Sequence, residues 1–377
     1  VSRLILLFAL AVGLSVGQSF FSVGGLGEPV GPSDARGVGL GMTAALSVAN
    51  PGFPVQLSQT SVAVSGLAGA VLGSQSAASR FVARVRPASI CAAVPLPLRV
   101  RLQVGVDSRF SQDFDVWSDS LADTAYRRHV TGRGGIHELR AGIAWALFDR
   151  VGLGMAVGRV VGGSREHWQF ESGEGAYVVT DTIEVDYSAN TVLLGAAAEL
   201  GRLSLGAAYE PGFTMSAERM LRVHGVVGDS LRRYRIFLPG SVRLGVGLSP
   251  ASGIELSGGV DFRPWAGAAI DGRPACYRDV VRISAGAEYE LAPGHPLRLG
   301  YSHQDWYFES ARSESLPIGE NGFHAGTSIP IPRFGSLDFG AALFLRRAGD
   351  LREAAGQLTV TLAYGEAWTR RTRRWGY

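Results

Sequence analysis

Strict alternation of apolar residues with small or polar ones recurs along most of this chain, and it restricts the possible folds more than any other feature. In Arg99–Asp107, Val100, Leu102, Val104 and Val106 share one face, while Arg99, Arg101, Gln103, Gly105 and Asp107 share the other. The pattern returns with Leu139, Ala141, Ile143, Trp145 and Leu147, with Ile283, Ala285, Ala287, Tyr289 and Leu291, and with Leu337, Phe339, Ala341, Leu343 and Leu345. The other face is made of glycine, serine and alanine with scattered arginine and carboxylates. There is no lysine: all 36 basic residues are arginine, and glycine contributes 51 of 377 residues. A soluble sandwich would normally carry lysine and glutamate outward. This composition suits a barrel whose apolar face meets lipid and whose small, polar face lines the interior. No apolar run of helical spanning length follows the N-terminus, which excludes a helical membrane protein. A 46% hydrophobic content excludes a disordered chain.

Turn spacing separates the barrel from the sandwich. Fourteen strands are predicted, at 57–67, 77–96, 98–108, 136–147, 150–161, 182–200, 202–212, 232–248, 253–264, 279–291, 296–306, 321–331, 335–346 and 356–365. Short connections such as Gly201-Arg202 and Pro293-Gly294-His295 alternate with long ones at 109–135, 163–181, 213–231, 265–278, 307–320 and 347–355. Short turns at one rim and long loops at the other fit an antiparallel transmembrane barrel. The fold class expected is therefore all-β, a barrel of about fourteen strands with an N-terminal segment plugging the lumen.

Residues 1–17 read as a signal peptide: Arg3, an apolar stretch from Leu4 to Val16, then small residues. Residues 56–365 form the expected barrel, and 366–377 a basic tail containing Arg370, Arg371, Arg373 and Arg374. Between leader and barrel, residues 18–55 show no period and are rich in glycine. They are expected to fold back as a plug, with Asp34 and Arg36 bonded to charged wall residues and Asn50-Pro51 making the bend into the first strand.

The run Asp34-Ala35-Arg36-Gly37-Val38-Gly39-Leu40-Gly41-Met42-Thr43-Ala44-Ala45, followed by Asn50-Pro51-Gly52, resembles the N-terminal region of the FadL/PorV family of outer-membrane proteins. The resemblance implies fourteen strands with the N-terminal segment inside the lumen. It implies passive uptake of hydrophobic small molecules across the outer membrane, or, by the PorV-like alternative, an adaptor barrel that holds secreted proteins and transports nothing.

Chemistry-bearing motifs are weak. The seven histidines show no metal-ligand spacing, no nucleophile elbow occurs, and Cys91 and Cys276 have no metal-ligand neighbours. Ser302 and His303 are adjacent and so point to opposite faces. No enzyme activity, metal or cofactor is expected, and a net charge of +3 makes no case for nucleic acid. Two groups of residues are singled out. Arg99, Arg101, Arg140, Arg243 and Arg282, with Glu138, Glu255 and Glu288, form an expected lumen charge network, because the planar guanidinium can bridge two carboxylates. Phe110, Phe114, Trp117, Trp168 and Trp306 supply aromatic surface for a ligand pocket near the outer loops. The expected partners are outer-membrane lipid and hydrophobic small molecules, with secreted proteins under the adaptor reading.

Overall fold

The computed structural model describes residues 25–31, 34–47, 49–53, 60–75, 78–120, 126–148, 150–172, 178–224, 230–310, 316–332 and 334–366. Residues 1–17, read from the sequence as a leader, and residues 367–377 of the basic tail lie outside them.

Fourteen antiparallel strands close into a barrel. They are β1 (Thr60–Gln75), β2 (Ala78–Pro95), β3 (Val100–Ser111, continuing as Phe114–Ser120), β4 (Tyr126–Phe148), β5 (Val151–Ser172) and β6 (Val178–Leu200). Next come β7 (Leu203–Glu210 and Phe213–Arg222), β8 (Ser230–Leu238 and Ser241–Ala251), β9 (Ile254–Arg263) and β10 (Val280–Ala292). The last four are β11 (His295–Ser310), β12 (Leu316–Ile331), β13 (Gly335–Ala348) and β14 (Leu351–Glu366). β14 pairs with β1 from Thr60↔Glu366 to Ser74↔Arg352, so no edge is left there. β7 and β8 are each interrupted once, at Pro211-Gly212 and Pro239-Gly240, where a proline removes a ladder donor.

The strand count agrees with the sequence reading, but the loops do not. The β1–β2 hairpin closes at Gln75↔Ala78, and most of 109–135, 163–181 and 307–320 is strand. Apolar alternation lapses where strands rise out of the lipid zone, while hydrogen-bond pairing continues. Polar strand was therefore indistinguishable from loop. Only the connection between β9 and β10 stays long, and it folds into a short turn at Trp265–Gly267 and a small hairpin, Ala269–Ile270 with Arg273–Pro274. Arg99 also departs from its expected place. It sits exposed in the turn before β3 with φ of 61°, at the short-turn rim rather than on the lumen wall.

The apolar face points outward on every side. Ile143, Trp145, Leu244, Leu299, Phe323 and Leu358 are all large, apolar and exposed. A belt of this extent has no counterpart on soluble monomers and is matched by acyl chains. Among the described residues no helix is long and apolar enough to span a bilayer; the strands do so. Ile143, 51% exposed at the centre of the apolar run Leu139–Leu147 of β4, tests the orientation. Ile143→Arg should destabilise the barrel by about 2–4 kcal/mol if it lies near the midplane. Ala144, 1% exposed, faces inward, so Ala144→Arg should crowd the lumen instead. Urea unfolding in lipid vesicles would measure both, and equal tolerance of Ile143→Arg and a surface change would contradict the orientation.

One part of the wall is not continuous. The β2–β3 ladder runs from Pro95↔Arg101 to Ser89↔Asp107. Above that level, Phe110 and Ser111 of β3 pair with Pro29 and Glu28 of the N-terminal segment.

Candidate functional site

The N-terminal segment descends through the lumen on seats made of glycine. Ala35–Gly39 forms a short helix, α1, capped by Asp34, whose Oδ1 accepts from the Gly37 amide at 2.7 Å. Burial raises the Asp34 carboxyl above its ordinary value, against the lowering pull of that amide and of Arg36. The Ala35 amide donates to Thr361 Oγ1 of β14 at 2.8 Å. Arg36 reaches Glu255 Oε2 at 3.0 Å and Glu288 Oε2 at 3.4 Å, and Arg298 joins Glu288 at 2.6 Å. Lower down, Asn50 Nδ2 donates to the carbonyls of Ala45 and Ala196, at 2.9 and 3.0 Å, and Asn50 Oδ1 accepts from the Gly52 amide.

Beneath this path lie four pairs of wall glycines, each pair directly opposed across neighbouring strands: Gly326↔Gly340, Gly286↔Gly300, Gly206↔Gly245 and Gly154↔Gly195. The first pair meets Ala35 and Gly39, the second Leu40 and Gly41, the third Ala45 and Leu46, and the fourth Asn50 to Gly52. A β-carbon at Gly286 would come within 2.6 Å of the Leu40 carbonyl oxygen. The wall thus lets backbone approach backbone, which only glycine permits.

Above α1 lies a cavity of about 240 Å³ with an aromatic ceiling and a charged floor. The ceiling comes from a ladder irregularity in β11 between Asp305 and Glu309. It breaks the period of two, so Trp306, Tyr307 and Phe308 are all buried in succession. Trp265, from the β9–β10 connection, stacks on Tyr307 at 4.3 Å between centroids, and Phe110 packs edge-on to both. Tyr307 Oη accepts from the Leu26 amide at 2.7 Å and donates to the Gly27 carbonyl at 2.9 Å, tying the start of the segment to the ceiling.

The floor is a chain of ion pairs. Glu210 takes both Arg109 (2.6 Å) and Arg263. Glu138 lies 3.5 Å from Arg109 and 3.7 Å from Arg140, and Arg140 is bonded to Asp107. Arg282 lies 3.7 Å from Asp261. Arg263 lies 5.3 Å from the Trp265 ring centroid, joining floor to ceiling.

Beside the ceiling, Arg346 is 2% exposed and carries three carboxylates. Nε donates to Glu320 and Nη1 to Glu353, both at 2.6 Å, and Nη2 reaches Glu28 of the N-terminal segment. Its guanidinium also lies 4.9 Å from the Trp306 ring centroid.

Of the aromatic residues singled out by sequence, Phe110 and Trp306 line the cavity. Phe114 is buried against Gly132, and Trp168 stacks on Phe170 with its Nε1 on Glu166. These two stand on the strand extensions away from the cavity, which corrects the expected pocket. Trp117 is opposite His129 in the β3–β4 ladder, and its side chain lies outside the described residues. Arg140, Arg243, Arg282 and Glu138 line the cavity, Glu255 and Glu288 hold Arg36, and Arg101 lies low in the barrel opposite Ala144.

Arg109, Glu210, Arg263, Arg346, Glu320 and Glu353 were not anticipated, whereas a pairing of Glu28 with an inward arginine was. Inward parity would have found Arg109 and Glu353 had the strands been extended into the apparent loops. Sequence adjacency also hid a pair: Ser302 Oγ meets not His303 but His324 Nε2, at 2.9 Å across β11 and β12. His324 Nδ1 has no hydrogen-bond partner among the described residues, so the imidazole lacks the orienting carboxylate of a catalytic triad. Both residues are buried.

No family model matches the sequence, and comparison with curated proteins by sequence gives no match. Solved structures do match the fold. A FadL homologue of Pseudomonas aeruginosa superimposes with a TM-score of 0.65 at 12% identity, over 89% of this chain and 99% of that one. The Pseudomonas putida toluene transporter TodX gives 0.62 at 13% identity, over 90% and 99%. The monoaromatic hydrocarbon channel CymD gives 0.55 at 13% identity, over 93% and 98%. The chain has the fold of the FadL-type barrels.

Proposed function

We propose that this protein is an outer-membrane channel for passive uptake of hydrophobic small molecules, gated by its N-terminal segment. The observation that carries the reading is the aromatic ceiling of Phe110, Trp265, Trp306 and Tyr307 over a cavity whose other side is bounded by the segment itself. Tyr307 bonds the backbone of residues 26 and 27, so a ligand that displaces the ceiling also loosens the segment. The loss of β2–β3 pairing above Ser89↔Asp107, where the segment takes over as partner of β3, supports an exit through the wall on the same movement. TodX and CymD, which share the fold, are described as a toluene transporter and a monoaromatic hydrocarbon channel, and a small aromatic cargo fits the cavity here.

Cells producing the full chain should take up labelled toluene several-fold faster than cells without it, and Trp306→Ala should reduce that gain. Equal uptake with and without the protein would overturn the channel reading and favour the adaptor, in which the lumen carries nothing.

A further inference from the structure

We propose that the preferred occupant of the cavity is a single-ring aromatic compound bearing one anionic group, with Arg243 as the residue that recognises the anion. The inference rests on the channel reading above and names the chemistry of its cargo.

Size, ceiling and charge converge on this ligand. About 240 Å³ is less than the roughly 300–1,000 Å³ typical of pockets for drug-sized ligands. One ring with one small substituent fits; a long acyl chain would have to leave the cavity. The ceiling offers Trp265, Trp306, Tyr307 and Phe110, whose ring faces and edges suit a flat aromatic partner. A pure hydrocarbon, however, would set its other face against charged groups.

One arginine of the floor stands apart from the ion pairs. It presents Arg109, Arg140, Arg243, Arg263 and Arg282 against Asp107, Glu138, Glu210 and Asp261. Four of these arginines are committed to carboxylates: Arg109 and Arg263 to Glu210, Arg140 to Asp107, and Arg282 to Asp261. Asp34, also facing the cavity, is occupied by the Gly37 amide. Asp305 also lines the cavity, at an exposed position of β11. Arg243 is left. It lies inward on β8, opposite Asp261 in the β8–β9 ladder, and among the described residues it makes no ion pair within 4 Å and no hydrogen bond. Its charge still acts on Glu210 and Asp261, but its five donors are half-buried and unbonded, which makes it a ready fork for a carboxylate.

The test uses the full chain in detergent, with tryptophan fluorescence as the readout and benzoate and toluene as probes. Benzoate should bind at least tenfold more tightly than toluene. Arg243→Gln should remove at least tenfold of benzoate affinity and leave toluene affinity unchanged, whereas Arg243→Lys should recover part of the benzoate affinity. Heat-modifiable gel migration verifies that each variant is folded. Toluene binding as tightly as benzoate, or undiminished benzoate binding by folded Arg243→Gln, would overturn the proposal and leave the channel reading standing. If neither probe binds the wild-type protein, both this proposal and the channel reading fail. Should Arg243→Gln not fold, the wild-type benzoate-to-toluene ratio and the response of Arg243→Lys decide alone.

Discussion

Arg346→Met should lower the stability of the barrel by about 3–5 kcal/mol, the range for removing one partner from a buried ion pair. The reason lies in what remains. Glu28, Glu320 and Glu353 converge on this one guanidinium, and Glu320 and Glu353 are themselves almost wholly buried. Methionine fills the space but leaves these carboxylates facing one another without it. Gln304 and Trp306 still donate to Glu320, at 2.6 and 3.2 Å, which softens the loss at that residue alone. Glu28→Gln should be much milder, because it reduces the acidic excess and leaves the cation paired. Urea unfolding in lipid vesicles would compare the two. An Arg346→Met midpoint equal to that of the wild-type protein would mean that the cluster contributes nothing to stability.

Deleting residues 18–48 should leave a folded barrel whose conductance in planar bilayers rises several-fold. The deletion removes α1 and the chain over three of the four glycine pairs, and it takes Leu26 and Gly27 from Tyr307, so the ceiling loses its tether as well. It also leaves Glu255 to lumen water, where an unpaired carboxylate is solvated at little penalty, while Glu288 keeps Arg298. Unchanged conductance from a heat-modifiable, folded protein would remove the main support for gating by the segment.

The difference between what sequence and structure show has a physical pattern. Where strands cross lipid, one face must be apolar, and Leu139 to Leu147 or Ile283 to Leu291 announce themselves by alternation. Where strands stand in water, nothing forces alternation, so the outer half of β4 from Tyr126 reads as loop. Arg109, just above the alternating part of β3, was lost with it. The aromatic ceiling was hidden for a related reason: Trp306-Tyr307-Phe308 violates the period of two, and only the irregularity in the β11–β12 ladder turns all three inward. Arg36 stood out because a charge in a glycine-rich segment needs a partner. Which carboxylates it meets depends on which strands face the helix, and that is a property of the closed barrel rather than of any local stretch.

The opposed glycines carry a consequence for what the barrel is as an object. Glycine weakens a strand by roughly 0.5–1 kcal/mol relative to alanine, and here eight of them stand in the middle of wall strands, in pairs. A container designed only to be strong would carry valine or threonine there. This wall is instead a negative cast of the N-terminal segment, with the route from Ala35 to Gly52 recorded in the places where side chains are missing. Container and contents are then a single specification written twice, once in each partner. Any alteration of the segment's course must be copied into the wall, and a wall rebuilt for rigidity would no longer admit the segment that it encloses.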